Sequence, residues 1–211
     1  MKHEILAPGI EIYCADCLEV MKGLDDKSVD AVITDPPYGV SYAEWDSDIP
    51  SQEFLDNCLR ISSGAVIMFG AATMMLEYSR YKEPPERILI WSPAFTLSHT
   101  MSKGIAYRYH PIFIWNIPVQ IEKTINWDVL SDNTECGNWW KHPATKPVSL
   151  MSKLIAAFGG DTVLDPYMGS GTTGVAAVKN GRKFKGMDTD PGYYEIAKKR
   201  IKEALMQPRL L

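Results

Sequence analysis

Asp35-Pro36-Pro37-Tyr38 combines an acid, two consecutive prolines and an aromatic ring, residue types suited to holding an amino group. The motif follows an apolar run, 29–34, interrupted by Asp30, which reads as a buried strand and puts the tetrapeptide at that strand's carboxyl end. Two prolines in succession stop the strand and supply no N–H donors. The carbonyls of Asp35 and Pro36 are left to accept hydrogen bonds from something else, and the Asp35 carboxylate adds a further acceptor. Tyr38 adds a flat ring. Acceptors beside a stacking face suit a planar substrate carrying an NH2 group, such as a nucleobase. A Pro-rich turn closing a strand would also account for the tetrapeptide alone, so the rest of the chain has to decide.

A second strand end carries Asp165-Pro166-Tyr167-Met168-Gly169-Ser170-Gly171-Thr172-Thr173-Gly174. A strand over 162–164 precedes it and a helix over 174–180 follows. Gly169, Gly171 and Gly174 allow backbone to approach a ligand closely, and the helix N-terminus favours an anionic group. No Lys precedes the Ser/Thr pair, so this is not a nucleoside-triphosphate P-loop. The bare pattern G-x-G-x-x-G is met, and the next strand ends in Asp188, an acid placed to accept from ribose hydroxyls. A nucleoside-containing cofactor is the expectation.

The elements that must position these two motifs alternate. Strands are expected at 11–15, 31–34, 65–69, 87–91, 107–116, 162–164 and 184–187. Helices are expected at 17–24, 52–61, 71–81, 149–158, 174–180 and 193–206. Pro111 within 107–116 argues for an edge strand or a bulge, hairpinned with 87–91 at the edge of the sheet. Strand–helix alternation indicates an α/β fold with parallel, right-handed crossovers. The segment 117–141, with Trp127, Trp139 and Trp140, shows no period. The loop 39–50 holds Tyr42 and Trp45 and is long for a simple connection.

At 211 residues the chain is the size of one domain with its own core. No apolar run is long enough to cross a membrane, and Met1-Lys2-His3-Glu4 does not open a signal peptide, so a cytoplasmic protein is expected. Net charge is -4 but uneven: four basic against thirteen acidic residues in 1–60, six against seven in 61–140, and twelve against six in 141–211. That excludes a generic polycationic binder while leaving the last third a basic face. Lys198, Lys199, Arg200 and Lys202 read most simply as a solvated helix surface. Cys14 and Cys17 have C-x-x-C spacing with no second pair, and Cys58 and Cys136 stand alone, so free thiols rather than a metal site are expected.

Taken together, these residues resemble the amino-methylating DNA methyltransferases. Four motifs in one order carry the likeness, over most of the chain: Asp35-Pro36-Pro37-Tyr38, His142-Pro143-Ala144-Thr145-Lys146-Pro147, 165–173, and Gly186-Met187-Asp188-Thr189-Asp190-Pro191-Gly192-Tyr193. The opening Ala15-Asp16-Cys17-Leu18 fits as well. Tyr167 stands where the family usually has Phe. The family uses S-adenosyl-L-methionine, needs no metal, and methylates adenine N6 or cytosine N4. Because the amine motif precedes the cofactor loop, the order is the family's beta arrangement, a circular permutation.

The resemblance implies a single Rossmann-like domain over 1–211. Its mostly parallel seven-stranded sheet would have helices on both faces and the spatial order 11–15, 184–187, 162–164, 31–34, 65–69, 107–116 (antiparallel), 87–91. It also implies roles. Asp35, Pro36, Pro37 and Tyr38 would be catalytic, with Asp35 and the Pro36 carbonyl holding the target amine and Tyr38 stacking on a flipped-out base. Gly169, Ser170, Gly171, Thr172 and Thr173, with Asp165 and Tyr167, would cradle the methionine part of the cofactor beside Asp35. Thr145 and Lys146 would hold its carboxylate, Asp188 its ribose, and Asp16 with Cys17 its adenine side.

No long target-recognition segment is expected; only 39–50, 93–106 and 117–141 are left to contact DNA, so either sequence specificity is low or a homodimer or partner subunit supplies it. Asp35 favours a DNA base over RNA or a protein amide; within DNA the motif leans toward adenine N6, with cytosine N4 the alternative. An inactive cofactor- or DNA-binding subunit of a modification complex is the non-enzymatic alternative, and a dehydrogenase would leave 35–38 and 142–147 unexplained.

Overall fold

In the computed structural model, which describes residues 1–39, 49–93, 101–102, 105–106, 109–118, 128–131 and 145–207, the short apolar runs are central strands buried on both faces. The order along the chain is β1 (Lys2–Ala7), β2 (Ile10–Cys14), α1 (Cys17–Lys22), β3 (Ala31–Thr34), α2 (Gln52–Ile61), β4 (Val66–Phe69), α3 (Met74–Tyr78) and β5 (Arg87–Trp91). There follow β6 (Met101–Ser102), β7 (Ile105–Ala106), β8 (His110–Trp115), β9 (Val129–Leu130), α4 (Val148–Phe158), β10 (Thr162–Asp165), α5 (Thr172–Lys179), β11 (Lys183–Asp188) and α6 (Pro191–Met206).

One sheet of nine strands runs β1-β2-β11-β10-β3-β4-β8-β5-β9, and β6 and β7 form a separate antiparallel ladder. The inner seven stand in the order the sequence implied, with β8 antiparallel to both neighbours. The expectation of seven strands is corrected by two additions. β1 folds back antiparallel on β2 at one edge, and β9 pairs in parallel with β5 at the other, so the 87–91 strand is not an edge.

Pro111 therefore lies in an interior strand, against expectation. Its carbonyl accepts from Gly70 N at 3.0 Å, one residue past the end of β4. The N–H that proline lacks would face this same side, where the β4 ladder has already stopped, so the usual cost of proline in a sheet is avoided.

The strands alternate their side chains between two apolar clusters, as a pleated sheet covered on both faces must. Ile33, Ile67 and Val163 pack with α4, α5 and α6; Val32, Met68 and Leu164 pack with α1, α2 and α3. The helix expected over 71–81 is confined to Met74–Tyr78.

Two features bring the motif-bearing strands together. At their starts, the Asp30 carboxylate accepts from Thr162 N at 2.8 Å while Asp30 N donates to Thr162 O at 2.9 Å, fixing β3 beside β10. At the opposite edge, Lys2 pairs with Glu195 at 2.6 Å and Lys198 with Glu4 at 2.7 Å, so the first strand and the last helix lie side by side as a permuted order requires.

Candidate functional site

Both motifs emerge on one rim of the sheet, at the carboxyl ends of adjacent parallel strands β3 and β10. That is where open α/β sheets bind ligands, because loops from neighbouring strands diverge to opposite faces there. The two motifs are joined by Asp165, the last residue of β10. Its carboxylate accepts from Thr34 Oγ1 at 2.7 Å on the β3 side, and from Thr173 Oγ1 at 2.5 Å on α5. A third bond comes from Tyr167 N at 3.1 Å. Burial pushes the Asp165 carboxyl up to about 7, against the pull of its two threonine donors.

Beyond β3, both carboxylate oxygens of Asp35 have donors. Tyr38 OH donates to Oδ1, and Lys146 Nζ to Oδ2 at 2.6 Å. Lys146 Nζ also reaches Tyr38 OH at 3.0 Å, closing a three-membered cluster. Lys146 stands just before α4, and its side chain is only 7% exposed. Its ammonium lies 5.2 Å from the Phe69 ring centroid, 5.4 Å from Tyr38 and 6.0 Å from Trp91. A buried cation surrounded by ring faces and paired to one carboxylate is a strongly positioned group. Pro36 is buried and Pro37 half-buried, and among the described residues nothing donates to the Pro36 carbonyl.

The glycine-rich loop is built mainly from internal contacts. Gly169 and Gly171 have φ of +50° and +80°. A Cβ on Gly171 would lie 2.8 Å from Ala197 Cα, so glycine there lets α6 pack against the loop. Asp188, at the end of β11, accepts from Gly169 N at 2.9 Å and from Asp190 N at 2.8 Å, and burial raises its carboxyl above the ordinary range. The Ser170, Thr172 and Thr173 hydroxyls are likewise engaged inside the protein. Thr173 bonds Asp165, while Arg200 on α6 donates to Ser170 Oγ at 2.8 Å and Thr172 Oγ1 at 3.2 Å, and to Ser170 O at 2.7 Å. What the loop offers outward is backbone: the Ser170 N–H has no partner among the described residues.

The remaining expected residues lie around this rim. Asp16 caps α1, accepting from Leu18 N at 2.8 Å and Glu19 N at 3.3 Å. Cys17 is buried beside Tyr167, which packs on Phe54 at 5.2 Å; burial pushes the Cys17 thiol up to about 11 and the Tyr167 hydroxyl higher still. Cys14, Cys17 and Cys58 are free thiols. Thr145 is exposed. Cys136, 142–144 and the tryptophans at 127, 139 and 140 lie outside the described residues, as does most of the expected DNA-contacting segments 39–50, 93–106 and 117–141.

Sequence reasoning missed three participants. Arg200 read as part of a solvated basic surface, yet it is half-buried and borders the buried face of α6 formed by Ala197, Ile201 and Ala204; its i+3 spacing from Ala197 was the available signal. Trp91, ending β5, and His110, starting β8, stack at 5.0 Å on the same rim. Nothing in their local sequence separates them from ordinary strand residues.

A family model described as "DNA methylase", covering the amino-group (N6 and N4) methylases, matches residues 68–199, more than half of the chain. The chain belongs to this DNA methylase family and is a DNA methyltransferase of its N6/N4 class. Among curated proteins it is 26% identical over 234 residues to the type II methyltransferase M.HpaI of Haemophilus parainfluenzae, covering 90% of this chain and 73% of that one. Among solved structures it matches the M1.HpyAVI–SAM complex with a TM-score of 0.68 and 25% identity, over 90% of this chain and 98% of that one. It also matches the cytosine-N4-specific PvuII DNA methyltransferase with a TM-score of 0.67 and 17% identity, over 95% and 87% of the two chains, a likeness of fold alone.

Proposed function

We propose that this protein transfers a methyl group from S-adenosyl-L-methionine to the exocyclic amine of a flipped-out DNA base, adenine N6. The observation that carries the reading is the adjacency of the Asp35 cluster and the glycine-rich loop, on neighbouring strands tied across by Thr34, Asp165 and Thr173. The donor set suits the cofactor: turned backbone at Gly169 and Gly171, a Ser170 N–H with no partner among the described residues, and the half-buried Asp188 carboxylate beside them for ribose hydroxyls. When bound, S-adenosyl-L-methionine supplies an electrophilic methyl on a sulfonium.

The chain's own residues do the rest by positioning and electrostatics. Asp35 and the Pro36 carbonyl accept the two N–H bonds of the target amine, which directs its lone pair toward the loop on β10. A carboxylate has about four lone-pair sites, so Asp35 can take the amine while keeping Lys146. Tyr38 turns from Asp35 to stack on the base. The base must leave the duplex, at a cost on the order of a few kcal/mol that one stacking contact of about 1–3 kcal/mol partly offsets. The Asp35-Pro36-Pro37-Tyr38 motif supports adenine; cytosine N4 presents the same amine to the same acceptors. With so little chain outside the sheet elements, a second copy or a partner subunit contributes to sequence recognition.

The test is methyl-label incorporation into unmethylated genomic DNA by the wild type and by Asp35→Ala. Incorporation is expected for the first and none for the second, with cofactor binding retained in both. An active Asp35→Ala would overturn the role given to Asp35.

A further inference from the structure

The rim beyond Asp35 continues without interruption. β4 ends at Phe69, and Gly70 N, one residue further on, bonds Pro111 O at 3.0 Å, which places His110 next along the rim. His110 pairs in register with Trp91, the last residue of β5, and their rings stack at 5.0 Å with a 29° tilt. Directly opposite residues of an antiparallel pair project to the same face. That face is the one on which the Lys146 ammonium lies, 6.0 Å from the Trp91 ring. Along the rim the groups therefore run Asp35 after β3, Phe69 on β4, His110 on β8 and Trp91 on β5, with the Lys146 ammonium beside Asp35 and near the Phe69 and Trp91 rings.

Two polar atoms here are unused. Among the described residues no group hydrogen-bonds to the His110 imidazole, and Trp91 Nε1, buried in a residue 3% exposed, has no partner. Buried indole N–H groups normally find an acceptor, and an unfilled one invites a ligand atom. A base with an exocyclic amine also carries a ring nitrogen acceptor beside that amine: N1 and N7 in adenine, N3 in cytosine. A site with an acceptor for the amine needs a donor for that nitrogen.

We propose that His110, backed by Trp91, is a substrate-contacting residue that forms the far wall of the base site and donates a hydrogen bond to the ring nitrogen adjacent to the methylated amine. The proposal rests on the amine-methylation reading above and names the residue that recognises the rest of the base. The protonation state fits: burial first, and the Lys146 charge second, push the His110 imidazole down to about 4, outweighing the opposite pull of Asp35. At neutral pH the ring is uncharged, and it donates from one nitrogen and accepts at the other. A flat neutral ring also stacks or edges against a base without the desolvation cost of a cation.

The experiment pairs His110→Phe, which keeps a flat ring and loses the hydrogen bond, with substrate duplexes carrying a deaza analogue at the mapped target base. On ordinary DNA, His110→Phe is expected to lower kcat/KM by about 10–100-fold, the range of a lost hydrogen bond in a site built to make it. Cofactor affinity is expected to change less than about 2-fold. Wild type is expected to lose a similar factor on the 1-deaza or the 7-deaza adenine duplex (3-deaza if the target is cytosine), and His110→Phe to lose no more on that duplex. Which analogue does so identifies the edge that is read. Equal losses from the residue change and the analogue that multiply when combined would overturn the proposal, as would a His110→Phe as active as wild type. His110→Gln, able to donate, is expected to recover part of the activity, which separates contact from packing. A wild type that transfers no methyl to any DNA would instead defeat the underlying reading.

Discussion

Removing the Lys146 charge is the sharpest perturbation of the Asp35 cluster. At 2.6 Å, the attraction between Lys146 Nζ and Asp35 Oδ2 is about 6 kcal/mol at an effective dielectric of about 20, and about 1.6 kcal/mol in bulk water. Lys146 is 7% exposed and Asp35 25%, so the pair sits between these limits, and desolvation of the ammonium offsets much of the gain. Screening at Asp35 lowers the net value further. We expect a coupling of about 2 kcal/mol. Lys146→Met keeps an unbranched side chain beside Phe69 and Trp91 without the charge, and Asp35→Asn keeps the planar shape of the carboxylate without its charge. Urea denaturation of the wild type, both single variants and the double variant gives the coupling directly. Lys146→Met is expected to cost about 2–3 kcal/mol, the pair's energy plus its ring contacts, and the double variant little more than that. The same Lys146→Met is expected to lose at least about 100-fold in kcat/KM, since in the proposed role Asp35 must be anchored to hold the amine. Additive stabilities, with a coupling below about 0.5 kcal/mol, would refute a positioned ion pair.

Three further outcomes follow from the geometry. Asp165 holds its proton to about pH 7 when folded and to about 3.8 when unfolded, so the folded state binds more protons in that window and its contribution to stability falls as pH rises. Asp165→Asn is expected to make stability climb more steeply between pH 4 and 7 than in the wild type, by thermal melts across that range; an unchanged pH profile would contradict the buried protonated acid. Arg200→Ala frees the Ser170 and Thr172 hydroxyls and is expected to weaken S-adenosyl-L-methionine binding about 10-fold by calorimetry with the fold intact, whereas unaltered affinity would assign Arg200 to surface charge alone. Gly171→Ala meets Ala197 Cα at 2.8 Å from a backbone with φ of +80°, and is expected to lower stability by about 2–4 kcal/mol in denaturant titration.

What could be read in the sequence was what rests on local pattern. The central strands are mostly apolar and end on punctuation, Asp35-Pro36-Pro37 or Asp165-Pro166, so their existence and direction were legible, and the family likeness then supplied their order. β1 was not, because Lys2-His3-Glu4 reads as a polar terminus; its exposed edge needs no apolar run, only the hairpin at Gly9, where φ is +78°. β9 is two residues long inside an aperiodic stretch, too short to carry a period. Asp35, Asp165 and Asp188 could be singled out because each stands at a strand end in a motif, and the structure brings them onto one rim. Lys146 was named but given only a cofactor contact, whereas its ammonium lies on Asp35, 111 positions earlier in the chain. Such a pairing comes from strand order and side-chain reach rather than spacing. The Trp91–His110 stack is of the same kind, created by the β5–β8 register.

In the proposed reaction the Asp35 cluster delivers a base's amine to a methyl donor on the neighbouring strand. Digesting unmethylated DNA to nucleosides after incubation with the protein and S-adenosyl-L-methionine, and identifying the products by mass spectrometry, tests it most directly. N6-methyl-2′-deoxyadenosine is expected with the wild type and none with Asp35→Ala. A methyl group found on a ring carbon, or no methylated nucleoside from a wild type that binds the cofactor, would contradict it.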